Sequence, residues 1–160
     1  MKLSDQIIEE ARSWLGTKFH HQGRLKKSKD NCGGCDCIGL IIGIAAKFKL
    51  LSKQSDNLLL KDCDNTSYPK IPNGTSLYTK LSLHLQEIEI NQLQYADILL
   101  FNFNDNPQHV ALVSNYITYN NDQIFSIIHA YIKARKVVEH RLDTIWKKRI
   151  TAVFRFRELY

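Results

Sequence analysis

At 160 residues, with 44% hydrophobic and 24% charged residues, the chain fits one globular domain spanning residues 1–160 with a core of its own. No apolar run is long enough to cross a bilayer, and the N-terminal MKLSDQIIEE lacks the apolar stretch of a signal peptide, so synthesis and residence in the cytoplasm, or release by another route, are expected. The net charge of +6 favours anionic partners such as wall polymers, but the basic residues are dispersed outside Arg24–Lys29 and Lys147–Lys148 and read mostly as solvated surface, with no nucleic-acid partner expected.

Residues 4–15 carry Ile7, Ile8, Ala11 and Leu15 on one stripe, which predicts an amphipathic helix with Ser4 as N-cap and Gly16 as its stop. Residues 17–36 are polar, basic and glycine-bearing, hence loop. Asp36 then reads as the N-cap of a second helix running to about Leu50. That helix is apolar almost all round and should be buried. Gly39 and Gly43 lie on one of its faces, where a neighbouring element could approach closely. Residues 51–95 are the least readable. Asn and Asp clusters with Pro69 and Pro72 suggest loop, and a short helix is expected over about Thr75–Gln86.

From residue 96 the texture changes to β-branched and aromatic residues. Strands are predicted over 98–103, 109–116, 123–131, 135–140 and 151–157, with turns at Asn104–Pro107 and Asn120–Asp122. A short helix capped by Asp143 and carrying Trp146 should precede the last strand. Helices followed by an antiparallel meander of about five strands make an α+β fold, with the helices packed on one sheet.

Three of the four cysteines crowd into Asn31-Cys32-Gly33-Gly34-Cys35-Asp36-Cys37-Ile38-Gly39. With Asp36 as cap, Cys37 falls in the first helical turn, where unpaired N–H groups and the helix dipole favour a thiolate and could stabilise an oxyanion. Cys32 and Cys35 lie in the loop and gain neither advantage. A thiolate nucleophile needs a base. His109 opens a strand and shares its parity with Ala111 and Val113, small residues that would let a helix pack close. His129 lies on the following strand, so antiparallel pairing brings the two imidazoles together. The chemistry is then Cys37 as nucleophile, His109 as base and His129 orienting it. The plain alternative is a small core cysteine and two polar strand ends. His84 and His140 read as surface or structural.

Five segments in order also resemble a family: Gly16-Thr17-Lys18-Phe19, Asp36-Cys37-Ile38-Gly39, Ala96-Asp97-Ile98-Leu99-Leu100-Phe101, Gln108-His109-Val110-Ala111 and Ile128-His129-Ala130. Together they resemble the NlpC-type murein endopeptidases of the papain-like cysteine peptidase superfamily, in the branch of phage-like and gene-transfer-agent cell-wall peptidases. The resemblance implies a papain-like fold and hydrolysis of an amide bond in the peptide stem of peptidoglycan. By position it assigns Cys37, His109 and His129 the roles just given, with no cofactor and no metal. It also implies a substrate-binding role for Asp36 and for the segment at Phe19. Relatives carry a tyrosine where Phe19 stands, so His20 or His21 would have to supply the missing hydrogen bond. Ile38 replaces the usual serine. No separate wall-binding region is expected within these 160 residues, so targeting would come from the basic surface or from incorporation into a phage-tail-like particle acting at the cell wall.

Rival readings follow from the same residues. Cys32, Cys35 and Cys37 with His20 or His21 could hold zinc, or Cys32 and Cys35 could form a redox pair. Phe19 and Ile38 suit a catalytically weak or inactive module for wall binding or tail assembly. A related thiol hydrolase or acyltransferase acting on lipid amides would share the Cys/His pair.

Overall fold

Helix α1 spans Leu3–Ser13 and buries Ile7, Ile8 and Ala11, the stripe that its spacing predicts. Its N-cap is Lys2, which makes no side-chain cap bond, so Ser4 sits inside the helix and not at its start. The computed structural model describes the chain outside residues 71–74, 117 and 120–121, and its side chains outside those and 118–119 and 122–123. The loop after α1 contains a short antiparallel pair, β1 (Arg24–Leu25) and β2 (Gly34–Cys35). Helix α2, Cys37–Lys47, starts directly after β2 and buries Gly39, Leu40, Ile41, Ile44 and Ala45. Its glycines are sites of close approach: a Cβ at Gly39 would lie 2.1 Å from the Gly23 carbonyl oxygen, and one at Gly43 would lie 2.2 Å from the Trp14 ring.

Helix α3, Ser76–His84, is followed by β3 (Gln86–Ile88), a strand lost in the unreadable part of the sequence. Then come β4 (Ile98–Phe103), β5 (Asn106–Ser114), the short pair β6 (Thr118–Tyr119) and β7 (Asp122–Gln123), β8 (Ser126–Tyr131), β9 (Lys136–Arg141), α4 (Thr144–Lys147) and β10 (Ile150–Arg155). Six of these strands form one antiparallel sheet in the order β3–β10–β4–β5–β8–β9. The expectation of about five strands misses only β3. The β4–β5 hairpin turns on Asn104 and Asp105, with φ of 52° and 63°, the left-handed angles that two-residue hairpin turns require. Of the turn expected at Asn120–Asp122, Asp122 opens β7 and the other two residues lie outside those described, as does Pro72.

The sheet is apolar on both faces. Ile98, Leu100, Val110, Leu112, Ile128 and Phe154 pack with α1, α2 and α3. Leu99, Phe101, Ala111, Val113 and Ile127 pack with Trp146 of α4. The small residues Ala111 and Val113 therefore admit Trp146, and not α2 as their size suggests; with both faces apolar, strand parity does not say which one the helices take. Across the sheet, Arg155 Nε and Nη2 donate to the buried Asp97 carboxylate at 2.7 and 2.8 Å, clamping β10 to the start of β4.

Candidate active site

The loop before α2 is tied down on two sides. Gly16 N–H donates to the Val137 carbonyl at 3.0 Å and Phe19 N–H to that of Arg135 at 2.9 Å, so the chain runs along the edge of β9. Cys35 N–H donates to the Lys18 carbonyl, and His20 N–H to that of Cys35, each at 3.0 Å. This fixes where α2 begins. Asp36 caps it as the sequence predicts: Oδ1 accepts from Gly39 N–H at 2.8 Å. The same carboxylate takes three more donors: Arg24 Nη1 at 3.0 Å, Gln22 N–H at 2.8 Å and the Tyr68 hydroxyl. Arg24 also pairs with Asp64 through Nε at 2.8 Å and donates to the Tyr68 oxygen at 2.8 Å. Burial and the bond to Asp36 push Tyr68 upward, so its hydroxyl keeps the proton that it donates.

Cys37, half-buried, lines a cavity of about 840 Å³ together with Asp36, Phe19, His21, Tyr68 and His109. The position agrees with the sequence reading, but the electrostatics do not. Burial pushes the Cys37 thiol up to about 12, and the Asp36 carboxylate adds to the rise; the N–H groups of Val110 and Ile38 and the charge of Arg24 offset only part of it. The helix start holds the sulfur in place without leaving it ionised at rest. Cys35 is wholly buried in the core and Cys32 is exposed, and all four cysteines are free. Among the described residues no group of three His, Cys, Asp or Glu side chains is placed to hold a metal ion.

The histidines form a chain. His109 Nε2 lies 2.6 Å from His129 Nδ1, and His129 Nε2 lies 2.8 Å from His140 Nε2. His140 Nδ1 donates to the Arg141 carbonyl at 2.9 Å. Trp146 packs edge-on against His129 with ring centres 5.0 Å apart, Tyr131 stacks on His129 at 5.1 Å, and the Tyr131 and Trp146 rings also touch at 5.3 Å. Burial, with the other histidines adding to it, holds His109 down to about 3 and lowers His129 as well. Both imidazoles are neutral at rest.

Of the residues singled out in the sequence, the structure thus brings Cys37, His109, Asp36, Phe19 and His21 to one cavity, with His129 behind His109. His20 is set apart: it is exposed, and its Nδ1 engages the His21 carbonyl at 2.9 Å. Three residues were missed. Tyr68 and Asp64 lie in the stretch without periodicity, where no local pattern marks them. His140, read as surface or structural, is the third ring of the chain; pairing Ile127 with His140 across the β8–β9 hairpin would have brought it near His129. Gln108 also lines the cavity, and its buried side-chain oxygen has no hydrogen-bond partner among the described residues.

The structure resembles solved structures across nearly its whole length. The NlpC/p60 domain of the peptidoglycan hydrolase SagA aligns with a TM-score of 0.54 at 15% identity, covering 97% of this chain and 100% of that one. An N-acetylmuramoyl-L-alanine amidase from Bacteroides uniformis aligns with a TM-score of 0.52 at 12% identity, covering 94% and 98%. The chain has the NlpC/p60 fold. No protein-family model and no curated protein matches the sequence. On the NlpC/p60 fold, then, this chain sets a half-buried thiol at the start of its central helix and a neutral imidazole from β5 around one cavity.

Proposed function

We propose that the protein is a cysteine hydrolase that cleaves an amide bond in the peptide stem of bacterial peptidoglycan. The observation that carries this reading is that Cys37 and His109 line one cavity on the NlpC/p60 fold, with His129 bonded behind the imidazole. His109 Nε2 is taken by His129, so its Nδ1 is the nitrogen left to receive the proton of Cys37. Both groups are neutral at rest, so proton transfer accompanies attack on the substrate carbonyl. The developing oxyanion would be met by N–H groups at the start of α2. Collapse of the tetrahedral intermediate returns the proton to the leaving amine, and water then releases the acyl group from sulfur.

Asp36 is committed to four internal donors, which favours a structural part for its carboxylate over direct recognition of a substrate amine. The unpartnered oxygen of Gln108 suits a substrate N–H. The positive charge of the chain suits an anionic wall, and delivery within a phage-like particle would bring the protein there.

One observation favours a second reading. Part of the cavity wall is apolar, formed by Ile41, Ile42, Ala45, Leu77, Leu81 and Phe156, and would suit the chain of a lipid amide. The test is incubation with defined murein peptides and, separately, with N-acyl amides, with products read by mass. Cleavage of the peptides by the wild type and none by Cys37→Ala supports the proposal. Cleavage of acyl amides alone supports the second reading, and no cleavage of either leaves a binding module.

A further inference from the structure

The histidine chain ends on a group that can only accept, and this fixes every hydrogen in it. The Arg141 carbonyl takes its hydrogen from His140 Nδ1, so a His140 ring carrying a single hydrogen presents the lone pair of Nε2 to His129. His129 must then carry hydrogen on Nε2 and present the lone pair of Nδ1 to His109. His109 carries hydrogen on Nε2, which leaves Nδ1 as its lone-pair nitrogen. The geometry points to His140 as a positioning residue and charge acceptor that makes the half-buried His109 an effective base. This rests on the reading of Cys37 and His109 as nucleophile and base.

The same bonds carry the proton outward. When the S–H bond of Cys37 breaks, its electron pair stays on sulfur and the proton joins His109 Nδ1. The hydrogen on His109 Nε2 can then pass to His129 Nδ1, and that on His129 Nε2 to His140 Nε2. No atom heavier than hydrogen need move. The positive charge comes to rest on His140, which is partly exposed, while His129 is wholly buried. Burial penalises charge on the two inner rings, and a second charge on His140 would lower them further; the chain therefore takes a single proton, and passing its charge outward spares the inner rings. The reverse transfers bring the proton back for the leaving amine. Around the outer ring, Trp146 lies 5.3 Å from His140 with the Arg149 guanidinium 5.0 Å over its face, and Glu139 is engaged by Arg12 at 3.2 Å. No carboxylate in hydrogen-bond contact with the three rings competes for the charge among the described residues.

The test is nitrogen-15 NMR of the imidazoles in the full chain, with kcat/KM measured against pH. In the wild type near neutral pH, His109 and His129 should carry hydrogen on Nε2 and His140 on Nδ1; the other tautomer at any of the three overturns the proposal without any variant. His140→Gln keeps an acceptor for His129 but cannot take the charge. His109 should keep its tautomer, while its titration midpoint and the acid limb of kcat/KM both fall by about one pH unit. The plateau of kcat/KM should drop about tenfold, as expected for a weaker base. A midpoint and limb left in place, whatever the loss of activity, would show His140 to be merely structural. A shifted NMR midpoint in a protein that cleaves no amide upholds the relay and removes the assigned function; hydrolysis with an unshifted midpoint does the reverse.

Discussion

His109 meets His129 through Nε2, at 2.6 Å, and not through Nδ1. The base is therefore held by one nitrogen and left open at the other, and the two histidines carry unequal weight. Removing His109 removes the proton acceptor. Removing His129 leaves the acceptor present but free to rotate and to exchange tautomers. We expect His109→Ala to lower kcat/KM by about a thousandfold or more and His129→Ala by about ten- to a hundredfold. Steady-state rates on a murein peptide, with folding checked by circular dichroism, decide the order. Equal tolerance of both substitutions would place the base elsewhere.

Asp36 offers a separate test, because it acts on stability and on Cys37 in opposite directions. Its carboxylate accepts four hydrogen bonds, one of them charged, from Arg24. Asp36→Asn removes the charge and turns an NH2 group toward two of those donors, which should cost about 3 kcal/mol in urea unfolding. The Asp36 charge also raises the Cys37 thiol. The pH midpoint for alkylation of Cys37 by iodoacetamide should therefore fall in the variant, even as the protein weakens. A midpoint that stays or rises would mean that the capping carboxylate does not influence the sulfur.

Gly43 shows how close α1 and α2 come. A Cβ there would lie 2.2 Å from Trp14 Cζ2, and Trp14 is held by its Nε1 donating to Glu10 at 3.1 Å. Gly43→Ala should improve intrinsic helix propensity yet destabilise the fold by about 1–3 kcal/mol, because overpacking outweighs propensity. Displacement of the indole should change its near-ultraviolet dichroism. A variant at least as stable as the wild type would show the contact to be soft.

The α+β class, α2 with its Asp36 cap, the close-packing glycines and five of the six sheet strands were legible because each rests on local chemistry: a carboxylate before an apolar helix, glycine spacing, and runs of β-branched residues. Cys37 and His109 do line one cavity, but not by the route read in the sequence, since the face of Ala111 and Val113 takes Trp146 and not α2. What escaped depends on contacts between distant segments. Tyr68 and Asp64 reach the helix start through Arg24, 44 and 40 residues away in sequence. β3 is only three residues long and joins the sheet through β10, near the far end of the chain. The thiol's ionisation was misjudged because the helix start is visible in sequence, whereas burial and the charge of Asp36 act through the folded surroundings. Parity put His109 and His129 together correctly, but could not show which face of the sheet the helices cover.

The histidine chain also sets how stability responds to acid. His109 and His129 are both held below the ordinary imidazole value, His109 at about 3, by burial and by one another's neighbours. A depressed value means that the unfolded chain binds protons that the native state refuses, so the contribution is complete above about pH 6.5 and is lost as pH falls toward 3. The bonds within the trio allow a count. Fully protonated, three free imidazoles carry six ring hydrogens. The native chain has room for four: one on the bond to Arg141, one on each of the two ring-to-ring bonds, and one on His109 Nδ1. The unfolded state thus takes up two more, and the free energy of unfolding should fall by up to about 2.7 kcal/mol per pH unit below pH 6 from this source. Urea unfolding at a series of pH values, compared with a His129→Gln variant in which one site is gone, measures it. The variant should show a shallower slope by about half; an identical slope would mean that the imidazoles protonate in place without opening the chain.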